Sequence, residues 1–339
     1  MRHPVPMIAM GLALAALMPA ASPASADALR VLLPAAGALV SGSGVLTVVV
    51  ELDSGIVPTD ARVRLNGADL RSGVPHARTD GVTVVHWSAR LAPGANTFDV
   101  TLGDPASPRV RVERAVFYRE AIFSIDEPPR TFRRQPFHVA ASETACRACH
   151  RVDPVTTDAA PGAPERSTCH GCHREKTAMK AVHGPAALWA CTKCHDPATT
   201  PARYATPSPV MPLCFGCHEE QRDWFWNNKF RHGPTATGMC TICHDSHGSS
   251  QAYFLKKAAW DLCTTCHAEK GTGRHVVAWG PGGQTHPTRH RADPVRPERE
   301  LSCASCHNPH AAPGAKLWNF GVTRWGDLCV RCHQSLGGG

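Results

Sequence analysis

The sequence predicts two unlike parts. An all-β sandwich is expected over residues 27–118. Over residues 138–339 the expectation is a loop-rich region with short α-helices, whose interior is filled by something other than side chains. Two observations carry this. Residues 27–118 hold no cysteine and no lysine, and their apolar residues alternate with polar ones as in half-buried strands. All 16 cysteines lie beyond that stretch, in eight copies of Cys-x-x-Cys-His.

The chain opens on an export signal. Arg2 and His3 precede an apolar run from Met7 to Met18, and Ala24-Ser25-Ala26 puts small residues at the cleavage positions. Residues 1–26 are therefore expected to leave as a signal peptide, with Asp27 as the new N-terminus. The run is too short to span a bilayer, and no later segment is apolar enough to be a membrane helix. No cysteine near the cleavage site offers a lipid anchor. The expectation is a mature chain without an integral membrane segment, periplasmic or at the outer surface, or extracellular.

Six alternating runs follow: Leu29 to Leu33, Val45 to Leu52, Arg62 to Leu65, Val82 to Ala89, Thr97 to Leu102 and Val110 to Tyr118. Asn66-Gly67 and Pro93-Gly94 are turn signals between them. Six or seven short strands suit a small antiparallel sandwich. The stretch resembles the immunoglobulin-like modules of secreted bacterial proteins, on its strand pattern and on Trp87 as a core anchor. Trp87 and His86 are expected to serve packing and surface. Residues 119–137 are expected to be a linker, because Pro128-Pro129 and the basic group Arg130, Arg133 and Arg134 interrupt any regular pattern.

The first motif joins Cys146 and Cys149 to His150. The next three are Cys169, Cys172 and His173; Cys191, Cys194 and His195; and Cys214, Cys217 and His218. The last four are Cys240, Cys243 and His244; Cys263, Cys266 and His267; Cys303, Cys306 and His307; and Cys329, Cys332 and His333. This is the attachment pattern of c-type haem. Two thiols form thioethers to the vinyl groups, and the adjacent imidazole is held under the iron as its proximal ligand. A zinc half-site or a redox dithiol also uses Cys-x-x-Cys, but neither demands histidine after the second cysteine every time. A disulfide framework would leave the histidines unexplained. Eight covalent haems are the expectation.

The eight motifs form a fourfold repeat. Within successive pairs the first cysteines lie 23, 23, 23 and 26 residues apart. A histidine stands eight residues before the first cysteine in three units, at His138, His183 and His232, the last two in His-Gly-Pro. In the fourth unit an insertion intervenes, and His286 or His290 is the nearest equivalent. These features resemble the doubled-CXXCH family of multihaem cytochromes, over residues 138–333. The resemblance implies a haem-packed, loop-rich fold with closely stacked haems, most irons carrying two histidines, and a role in electron transfer outside the cytoplasm. Chain length agrees. Roughly 24 residues per haem is too little to bury a conventional core as well, so the haems are expected to be the core.

Sixth ligands decide between a conduit and an enzyme. Nine further histidines are available in the haem region. His138, His183 and His232 are expected distal ligands by repeat position. So are His247 and His310, three residues after a proximal histidine, and His286. His170, His275 and His290 are further candidates, with a surface or supporting role as the alternative. Asp153 and Ala198 stand where the first two units would need the equivalents of His247 and His310. Met179, Met211 and Met239 are expected to pack rather than ligate, and the seven tryptophans of the region to cover porphyrin faces.

The formal net charge of +8 loses Arg2 with the signal peptide. Two propionates per haem then make the loaded protein acidic, so no nucleic acid partner is expected from the basic pI of 8.8. Arg289, Arg291, Arg296 and Arg299 form the densest basic patch, expected as a solvated loop. Three functions remain open. The first is an electron conduit between a membrane-side donor and an outer acceptor, both redox proteins. The second is a reductase of a small nitrogen or sulfur oxyanion at one open iron. The third is a homo-oligomer or a subunit of a cytochrome filament. All eight motifs keep their histidine, which favours the conduit.

Overall fold

The computed structural model describes residues 28–334 apart from 42–43, 105, 120–127, 148–149, 154–162, 164–165, 273–285 and 287. The expected signal peptide, Cys149 and His275 lie outside the described residues. The chain divides into two compact units, residues 1–120 with 126–135, and residues 121–125 with 136–339.

The first unit is a β-sandwich. Its strands are β1 (Leu29–Leu33), β2 (Ala38–Ser41), β3 (Val45–Leu52), β4 (Ala61–Leu65), β5 (Ala68–Asp69), β6 (Val74–Ala77), β7 (Thr83–Arg90), β8 (Gly94–Asp104) and β9 (Ser107–Arg119). One sheet runs β1-β3-β7-β6 and the other β2-β9-β8-β4-β5. All neighbours are antiparallel except β2 and β9. Alternation sets the register, because a slip of one residue would turn every apolar side chain to solvent. Val48, Val50 and Leu52 on β3, Val63 and Leu65 on β4, Val85 and Trp87 on β7, and Phe98, Val100 and Leu102 on β8 all point inward. Trp87 is 4% exposed, in the core as expected.

Each of the six expected runs is a strand. Three strands were not legible. β5 has two residues, β2 has four with no buried position, and β6 carries Pro75 and is exposed throughout, as an edge strand tolerates. Asn66 and Gly67 both take positive φ (51° and 85°) in the turn from β4 to β5. Buried Asn96 fixes that turn. Its amide oxygen accepts from Asn66 Nδ2 (3.0 Å) and Ala92 N–H (3.0 Å), and its Nδ2 donates to Ala92 O (2.7 Å). Part of the stretch expected as linker also belongs here. Leu39 N–H donates to Arg133 O (2.8 Å) and Arg133 N–H to Gly37 O (2.9 Å).

Phe98 is fully enclosed, so Phe98→Ala leaves a cavity that the rigid sandwich cannot refill. The expected loss is about 3–5 kcal/mol of sandwich stability. Urea unfolding followed by far-ultraviolet circular dichroism checks it, and a loss below about 1 kcal/mol would contradict this core.

The second unit is built differently. Its helices are short, the longest being Glu219–Asn227, with Ala140–Arg147 next. Paired strands are two residues long, Ala181–Val182 with Gly248–Ser249 and Phe230–Arg231 with Ala311–Ala312. Among its described residues the buried hydrophobics are Trp189, Ala190, Phe225, Ile242, Ala311, Ala312 and Val322. The short α-helices expected here are not confined to the stretches after the motifs. Glu219–Asn227 and Ala268–Thr272 lie there, but other helices run into the motif, at Met211–Phe215, Ala259–Thr264 and Trp325–Cys329. The physical reason is that the motif is itself a helical turn. In all eight copies the histidine N–H donates to the carbonyl of the first cysteine, at 2.8–3.1 Å. No helix among the described residues is long and apolar enough to cross a membrane.

Candidate metal centres

One closed turn places two thiols and an imidazole on a common side, and a second imidazole then faces the first. Six such pairs occur among the described residues. Ring centres of His138 and His173 lie 6.1 Å apart, of His183 and His218 6.1 Å, and of His195 and His247 6.1 Å. For His232 and His267 the figure is 6.2 Å, for His244 and His310 5.9 Å, and for His286 and His333 5.9 Å. In His195–His247 the planes are within 5° of parallel. The residues present fit haem. A metal–imidazole bond of about 2 Å on each side, plus about 1 Å from nitrogen to ring centre, spans about 6 Å.

Five of the six pairs follow two rules, and His286 with His333 stands apart because of the insertion in the fourth unit. The histidine eight residues before a unit's first cysteine faces the second proximal histidine of the same unit: His138 with His173, His183 with His218, His232 with His267. The histidine three residues after a first proximal histidine faces the preceding unit: His247 faces His195, and His310 faces His244. Backbone bonds hold these joints. His183 N–H donates to His247 O (2.9 Å) and His232 N–H to His310 O (3.0 Å), beside the two short strand pairs.

Six histidine rings are oriented through Nδ1, which leaves Nε2 for the metal. His195, His244 and His307 each bond the carbonyl nine residues on, at Tyr204, Tyr253 and Lys316, all at 2.8 Å. Tyr204 and Tyr253 adopt left-handed backbone (φ 65° and 57°) at the carbonyls that receive the ring. His183 Nδ1 contacts Ser246 O (3.0 Å), His247 Nδ1 contacts Asp245 Oδ1 (3.2 Å), and His138 Nδ1 contacts Glu143 Oε1 (3.0 Å). These supporting groups escaped the sequence reading. Carbonyls carry no side-chain signature, and only the constant nine-residue offset could have exposed them.

Desolvation lowers His173, His232 and His310 and so favours their neutral form, the one a metal takes up. Desolvation by the surrounding chain pushes His310 down to about 4 although part of the ring stays open, and His244 and His232 add to it. His232 is lowered by desolvation and then by His267. Buried Glu143 is raised by desolvation, but His138, Arg203 and Arg147 outweigh that and hold it below the usual carboxylate range. Arg203 also reaches Asp153 (3.0 Å), which Arg147 holds as well.

Neighbouring motifs touch. Cys191 donates to Cys169 across the boundary between the first and second units and pulls that thiol down to about 6. Cys214 acts likewise on Cys240, and Cys263 on Cys303, each lowered to about 7. Within units, burial raises Cys194, Cys243 and Cys306, and the charges of Cys217, Cys266 and Cys332 respectively add to it. Attachment sites two to eight are therefore neighbours in chain order.

The remaining candidates are placed as follows. His170 packs edge-on against Trp189 at 4.8 Å, and Trp189 holds a left-handed φ of 56° where the third unit has Gly238 (φ 75°). His290 is 83% exposed beside Glu300. His307 stacks on Trp318 at 4.7 Å. Met239 is 47% exposed. The basic patch is not a bare solvated loop. Arg289 stacks over Trp260 (4.1 Å) and pairs with Asp261 (2.9 Å), Arg296 lies over Phe320 (4.8 Å), and Arg299 sits beside buried Asp293 (3.6 Å).

Comparison with known proteins follows the same boundaries. The family model described as the doubled CXXCH motif matches residues 183–223, 232–272 and 294–338, the second, third and fourth units. The first unit lies outside the matches. No curated protein matches the chain. Similar solved structures include the fibronectin(III)-like modules of CbhA from Clostridium thermocellum, at 14% identity, covering 27% of this chain and 98% of that one, with a TM-score of 0.21. A putative beta-galactosidase from Bacteroides fragilis is 21% identical over 24% of this chain and 11% of that one, with a TM-score of 0.19. CopC from Methylosinus trichosporium OB3b is 16% identical over 26% of this chain and 91% of that one, with a TM-score of 0.19. The matched motifs carry the attachment pattern of covalently bound haem, consistent with a multihaem c-type cytochrome.

Proposed function

We propose that this protein is an exported octahaem c-type cytochrome that conducts electrons by hopping along closely packed, mostly bis-histidine haems, between a membrane-side donor and an outer acceptor. The facing histidine pairs carry this reading, at 5.9–6.2 Å between ring centres. Hydrogen-bonded thiols of consecutive motifs, Cys191 with Cys169, Cys214 with Cys240 and Cys263 with Cys303, support a row in chain order. Sparse apolar burial in the second unit supports haem as its core. Export rests on the leader read in residues 1–26. The β module is typed as immunoglobulin-like on its two-sheet strand order, and its role is docking or spacing.

Purified holoprotein should give eight haems per chain by pyridine haemochromogen and titrate at low potentials, because two imidazoles favour ferric iron more than imidazole with thioether does. Stoichiometric zinc in place of haem would sink the reading. Potentials centred well above zero volts would sink the bis-histidine part of it.

A further inference from the structure

The pairing rules leave two irons without a partner from the repeat, that of His307 in the fourth unit and that of His150, which the second unit follows. Each first proximal histidine takes its facing ring from the next unit, three residues past that unit's own first proximal histidine. His195 takes His247 and His244 takes His310. By the same displacement His150 looks to position 198 in the second unit, and that residue is Ala198.

The turn that would present the ligand is nevertheless intact. Asp245 Oδ1 accepts from His247 N–H at 3.0 Å, and Asn308 Oδ1 from His310 N–H at 3.0 Å. Asp196 Oδ1 accepts from Ala198 N–H at 2.8 Å in the same way. Only the imidazole is missing, and Ala198 is exposed. Arg203 ties this turn to the segment beyond His150, donating from Nε to Pro197 O (3.3 Å) while Nη1 holds Asp153 (3.0 Å).

The other described histidines of the first two units face or pack elsewhere. The second unit has only His183, His195 and His218, of which His183 faces His218 and His195 faces His247. In the first unit His138 faces His173, and His170 packs on Trp189. Among the described residues no histidine ring lies against His150. Asp153 is explained by the same register. A histidine there would serve a unit before the first, and no attachment motif precedes Cys146.

We propose that the iron carried by His150 keeps an exchangeable sixth position and binds small inorganic ligands there, Ala198 standing where the repeat places the second histidine. The inference rests on the haem reading above. It assigns to the first unit a ligand-binding site distinct from the conducting row.

The test uses the full-length holoprotein with its haems counted. Reduced with dithionite and titrated with carbon monoxide, the wild type should bind one equivalent more than Ala198→His. The oxidised wild type should show a high-spin electron paramagnetic resonance signal that Ala198→His converts to low spin. Full haem content with only low-spin iron and no carbon monoxide binding would overturn the proposal. So would equal binding by Ala198→His, or a new binding site created by His170→Ala, which would make His170 the ligand. Loss of haem altogether would instead strike the proposed function, so the two failures are told apart.

Discussion

Replacing His247 by alanine is expected to open an iron in the unit before its own. His247 lies in the third unit, three residues after His244, yet its ring is parallel to that of His195 in the second, 6.1 Å away. Thioethers to Cys191 and Cys194 hold that haem independently of His247, so the haem count should not change. What changes is one sixth position. His247→Ala should add one high-spin iron and one carbon monoxide equivalent over the wild type. His247→Met should instead keep that iron low-spin and raise its potential, by a visible part of the roughly 0.8 V range that axial ligands cover. His290→Ala is the control, since that ring is 83% exposed and faces no other imidazole among the described residues. If His247→Ala leaves both spin state and carbon monoxide binding unchanged, the cross-unit pairing is wrong.

That prediction separates what the sequence could say from what it could not. The motifs pointed to the proximal histidines, and counting offsets picked out, as a set, the histidines that the structure places against them. Assigning each to its iron needed the structure. His138 and His173 share a unit whereas His247 and His195 do not, and nothing local to either residue distinguishes the cases. The difference is made by backbone joints such as His183 N–H to His247 O, which a periodicity argument does not see. The β module shows the same division. Its inward alternation exposed β3, β7 and β8, while β6, exposed on both faces and holding Pro75, had no pattern to find. Asp153 and Ala198 were visible as departures. Their meaning came only with the register that pairs His247 and His310 with the unit before their own.

Removing one link from the row is expected to cost conduction far more than fold. In Cys214→Ala with Cys217→Ala the fourth haem has no thioether, leaving His218 and His183 as its only anchors. Those two rings also lose the iron between them. The joint between the second and third units does not depend on that haem, because Ala181–Val182 still pairs with Gly248–Ser249 and His183 N–H still meets His247 O. Buried Phe225 lies on the helix Glu219–Asn227 that follows this motif and packs on Phe215 at 5.8 Å between ring centres, so loosening should concentrate there. Seven covalent haems should remain, with local exchange of backbone amides faster around residues 211–227. The attachment sites on either side belong to Cys194, which feels the charge of Cys217, and Cys240, which is hydrogen-bonded to Cys214. An electron travelling the row must then cross the vacated space in a single step. Reduction of the far haems from an electrode-tethered C-terminus should slow sharply while equilibrium titration still reaches all seven. Unchanged transit would mean that the haems are not traversed in chain order, and that a contact outside the Cys194–Cys217 and Cys214–Cys240 neighbours carries the current.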